Sequence, residues 1–110
     1  MFLQIALGGL LTFGFITPLP HIITGFAVLV LAIATMAVAL ASMPSFRLMQ
    51  GLSLGLVVLI VVQIILGFVT LRSGDAIVAW VHLVIAMAIY GMAVAGTFMA
   101  MRWNYMARGR

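Results

Sequence analysis

Apolar residues run almost without interruption along this chain, and its conformationally special positions gather at three breaks. The first is Pro18-Leu19-Pro20, the second surrounds Pro44, and the third is Arg72-Ser73-Gly74-Asp75. Between them lie four apolar segments, at about 2–17, 21–42, 48–71 and 76–101, followed by a basic tail from Arg102 to Arg110. A helix rising 1.5 Å per residue needs about 20 apolar residues to cross a bilayer. The last three segments meet that length and the first is short of it. Because the breaks are brief, successive helices are expected to pack antiparallel. The pattern predicts an all-α, single-domain, integral membrane four-helix bundle.

Composition strengthens the lipid reading. Hydrophobic residues make up 67% of the 110 and charged residues 5%, where a soluble domain carries about a quarter charged residues. The first segment lacks a basic leader, and Pro18-Leu19-Pro20-His21 is no small-residue cleavage site, so a membrane helix is expected there rather than a signal peptide. Absence of Cys excludes disulfides, thiolate metal sites and cysteine nucleophiles.

The formal charge of +4 comes from five Arg and one Asp. These arginines flank apolar runs, so they speak for orientation in a membrane and not for nucleic acid. Under a four-helix count Arg47, Arg102, Arg108 and Arg110 fall on one side and Arg72 on the other. The positive-inside rule then places both termini in the cytoplasm of a multi-pass protein, with the prokaryotic plasma membrane the expected location. Trp103 and Tyr105 suit the inner aromatic belt, and Trp80 the outer.

The scarce polar residues are placed in a repeating way. Gln4-Ile-Ala-Leu7-Gly8 matches Gln63-Ile-Ile-Leu66-Gly67, and each phrase precedes a break and a helix bearing one of the two histidines, His21 and His82. Thr12 and Thr70 follow one position out of register. Three Gln and two His in the whole chain make this register hard to ascribe to composition. Two helical hairpins of one orientation are expected, over about 1–46 and 47–110.

An ionisable side chain within a membrane segment is costly and marks a functional site by default. Taken alone, His21 suits a wetted interface, and His82 suits a neutral imidazole hydrogen-bonded to a carbonyl or to Gln63. Together they occupy equivalent places on the second and fourth helices, which oppose each other in such a bundle. Gly25 and Ala86 lie one turn later, and Ala32, Ala39, Ala93 and Gly96 continue a small-residue face that suits either a flat macrocycle or plain helix packing. Zinc would want more ligands than two His and a loop Asp75; copper with two His and a Met is compositionally open. Bis-histidine ligation of one b-type haem uses what the chain has. Arg72 then suits a haem propionate, an interfacial anchor or an i,i+3 partner to Asp75. Gln4 and Gln63 suit an interhelical hydrogen bond, an imidazole-orienting contact or a polar substituent of a bound ring.

The stretch QIILGFVTLRSGDAIVAWVHLVIAMA, residues 63–88, resembles the haem A synthase family, whose members pair a Gln-x-x-Leu-Gly helix with a helix carrying a haem-ligating His. The chain is similar to one four-helix half, better in its third and fourth helices than in its first two. That resemblance implies His21 and His82 as axial ligands of a haem. The chain departs from the family in having no Glu before its first His, no Arg after it, and no loop Cys. Proton-handling groups needed to oxidise a haem methyl reduce to Asp75. The expected function is therefore a small haem-binding subunit of a respiratory electron-transfer complex, such as a terminal oxidase, among other membrane subunits or in a homodimer. A haem-modifying enzyme working as a dimer and a haem-less structural subunit are the alternatives.

Overall fold

The structure, a computed structural model, describes residues 1–43 and 45–109. Pro44, expected to close the second segment, and the inner-side charge of Arg110 lie outside the described residues. Four helices follow in order: α1 (Phe2–Thr12), α2 (Pro18–Ser42), α3 (Arg47–Ser73) and α4 (Ala76–Arg108). They form a bundle of 53 × 21 × 20 Å. α3 packs on α2 and α4, and α1 touches the same two helices. Hence α2 and α4 stand diagonally opposite, as the repeat predicts.

Large apolar side chains point outward nearly everywhere. Phe13, Phe15 and Ile77 are 78%, 75% and 74% exposed, whereas the buried apolar residues are Ala39, Met49, Ile60 and Ile89. In water such a surface would aggregate. The spans α2, α3 and α4 reach mean hydropathies of 2.5, 2.8 and 2.2, and the outward side chains form a lipid-facing surface. This is a membrane protein.

Helix ends follow local chemistry and correct the expected boundaries. α1 has 11 residues, about 16 Å by helical rise, which is shorter than the hydrocarbon core of a bilayer, and it does not reach residue 17. It stops in a Schellman turn: Gly14 adopts φ 75°, its N–H donates to Leu11 O, and Phe15 N–H donates to Leu10 O. α2 begins at Pro18 instead of His21, because a proline in the first turn lacks only an N–H that would be orphaned anyway. α3 ends at left-handed Gly74, φ 63°. Asp75 caps α4, its Oδ1 accepting from Ile77 N at 2.7 Å and Val78 N at 3.2 Å. α4 continues through the basic tail to Arg108, since no Gly or Pro lies between Gly96 and Gly109.

One end of the bundle is tied by Phe46 stacked on Trp103, ring centres 4.9 Å apart and planes at 8°. Arg47 and Arg102 are thereby brought to the same end. Arg72 lies at the other end, in the last turn of α3.

Candidate functional site

His21 is the fourth residue of α2 and His82 the seventh of α4. Both are half-buried, and their rings meet across the diagonal with centres 6.2 Å apart and planes inclined at 74°. Around them lies an apolar cavity of about 820 Å³, lined by residues of all four helices that include Gln4, Gly8, Gln63, Gly67, Ile60 and Ile89. Such a volume is within the range of about 300–1,000 Å³ usual for small-molecule sites.

Each half of the repeat builds the same cradle. Gln4 Nε2 donates to the backbone carbonyl of His21 at 2.9 Å, and Gln63 Nε2 donates to that of His82 at 2.6 Å. One turn further along α1 and α3, glycine makes room for the ring. A Cβ on Gly8 would sit 3.2 Å from His21 Cε1, and a Cβ on Gly67 would sit 3.2 Å from His82 Cε1. So the Gln-x-x-Leu-Gly phrase clamps the histidine-bearing helix with its first residue and admits the imidazole over its last. Glycines 8 and 67 are the site residues that the sequence reading passed over, although both were visible as matching positions of the repeat.

Other predicted site residues have different tasks. Gly25 lines the cavity, yet its clearance also serves Gln4, because a Cβ there would lie 3.1 Å from Gln4 Nε2. Ala86 lines the cavity too. The continuation of the small-residue face does not: Ala39 is buried in helix packing, and a Cβ on Gly96 would meet Leu52 Cδ2 at 2.8 Å. Arg72 is exposed and is not among the residues that line the cavity. The carboxylate of Asp75 is engaged at the N-terminus of α4 rather than in the cavity.

The two halves differ in one polar contact. Thr24 Oγ1 donates to Gln4 Oε1, whereas Gln63 Oε1 is buried without a partner, as are Nδ1 of His21 and Nδ1 of His82. Among the described residues no group of three or more His, Cys, Asp or Glu gathers as a metal site. Two imidazoles with no carboxylate nearby are fewer donors than a metal held by protein ligands alone would need.

No protein-family model, curated protein or solved structure matches this chain.

Proposed function

We propose that this membrane protein binds one b-type haem between His21 and His82 and serves as a small electron-transfer or structural subunit of a respiratory membrane complex. The observation that carries this reading is the 6.2 Å between ring centres on diagonally opposed helices. Two metal–nitrogen bonds of about 2.0 Å, with about 1.1 Å from each nitrogen to its ring centre, span about the same distance. The apolar cavity of about 820 Å³ around the pair supports a large flat apolar group, and the glycine at each ring leaves the imidazoles unobstructed from behind.

When bound, the haem would supply a one-electron couple. The chain's own residues hold and insulate it: the glutamines fix the carbonyls of residues 21 and 82, and the surrounding aliphatic residues exclude water. Electron transfer suits these residues better than oxidation of the porphyrin, because the chain's one side-chain carboxylate caps α4. Resemblance to the haem A synthase family keeps a haem-modifying dimer as the second reading. Exposed apolar helix faces suit lipid and neighbouring subunits or a second copy.

Purification from a haem-replete membrane, followed by a reduced-minus-oxidised spectrum and haem-to-chain stoichiometry, tests the reading. A b-type α-band at one haem per chain is expected. A chain that stays colourless, and takes up no haem when it is added, would overturn it.

A further inference from the structure

Among the described residues, the buried side-chain polar atoms without partners are Nδ1 of His21, Nδ1 of His82 and Oε1 of Gln63. Each such atom has lost its water without replacing it, so three in one site call for an explanation. The halves reach this state differently. Gln4 uses both ends of its amide, giving Nε2 to His21 O and meeting on Oε1 the Thr24 hydroxyl, whose one proton is shared with the carbonyls of Pro20 and His21. Three residues after His82, where α2 has Thr24, α4 has Ile85. Ile85 has no proton to give, and Gln63 keeps its acceptor.

That free acceptor belongs to the pair that also holds a free imidazole nitrogen. Gln63 Nε2 is 2.6 Å from His82 O, and the His82 ring rests on Gly67, one helical turn away on the same helix. A neutral imidazole carries its proton on either Nδ1 or Nε2, and the hydrogen bond made by one nitrogen decides the state of the other. With the proton on Nδ1, donor and acceptor become complementary.

We propose that Gln63 is a positioning residue that holds His82 in its Nδ1–H tautomer by accepting that proton on Oε1, while at His21 the matching acceptor, Gln4 Oε1, is shared with the Thr24 hydroxyl. In the structure both atoms are without a partner, so the bond requires Gln63 Oε1 to turn toward Nδ1 while Nε2 keeps the carbonyl. His82 then presents a bare Nε2 as a pre-set ligand. A hydrogen bond at Nδ1 also raises ligand basicity, so the two imidazoles are unequal donors. For a bound haem, whose presence rests on the reading above, His82 would be the more firmly held of the two ligands and His21 the weaker.

The test uses the full chain in micelles, haem-free, with ¹⁵N-labelled imidazoles read by NMR. His82 is expected to show a protonated Nδ1 and a bare Nε2. Gln63→Leu should abolish that signature and Gln4→Leu should leave it. Ile85→Thr, which keeps the glutamine and offers Oε1 a competing hydroxyl as Thr24 does for Gln4, should weaken it. A His82 that carries its proton on Nε2, or a signature that survives Gln63→Leu, overturns the inference. Adding haem afterwards separates the two claims. Nδ1–H at His82 in a chain that takes up no haem sinks only the haem reading, and Nε2–H in a chain that binds haem sinks only this one.

Discussion

At the scale of single residues, the site depends on absent atoms as much as on present ones. Gly8 and Gly67 leave the space that the two imidazoles fill, and a leucine at either position has nowhere to go without moving a ring. Gly67→Leu is expected to cost about 1–3 kcal/mol by overpacking and to prevent ligation by His82, read as lost stability to denaturing detergent and a lost haem band. Gly91→Ala is the control, since nothing lies within 4 Å of a Cβ there, and both readouts should stay at wild-type values. Gln4, Gln63, His21 and His82 were legible in the sequence because Gln and His are rare in it. The glycines were harder to single out among eleven, because glycine in membrane helices also serves close packing. The Thr24–Ile85 difference was illegible for another reason. It matters only once the amide of Gln4 is seen to touch the next helix.

At the scale of elements, punctuation by Pro, Gly and Asp marked the helices, and the errors lie where such residues play a second part. Pro18 opens a helix that it was expected to precede. The arginine tail was expected to end α4, yet charge alone does not break a helix, and α4 runs to Arg108. α1 was expected to continue through residue 17, but Gly14 turns the chain after Thr12. Asp75 shows how an end is held, through two backbone N–H groups of α4. Asp75→Ala should cost about 0.5–2 kcal/mol, and Asp75→Asn much less, measured by unfolding in mixed micelles. Equal losses would mean that the carboxylate's charge, not its capping oxygen, is what counts.

At the scale of the whole molecule, the bundle is four helices in a ring, with three long enough to span and a cavity shared by all four. The hairpin repeat made the diagonal placement of α2 and α4 legible, because equivalent helices in two like-oriented hairpins oppose each other. Side-chain reach across the diagonal was not legible, since it depends on interhelical distances that no sequence spacing records. Orientation is a prediction of the same scale. The chain has no Cys, so single-cysteine variants report one site each: Ala107→Cys should react only with a membrane-permeant thiol reagent in intact cells, and Ser73→Cys with an impermeant one. The reverse pattern would invert the assigned topology. The central claim is that one haem sits between two imidazoles from opposite helices, and the most direct measurement is the low-temperature EPR spectrum of the oxidised, haem-loaded chain beside His21→Ala and His82→Ala. Wild type should be low-spin, and each variant should turn high-spin or lose its haem. A low-spin signal that persists unchanged in both variants would contradict the account.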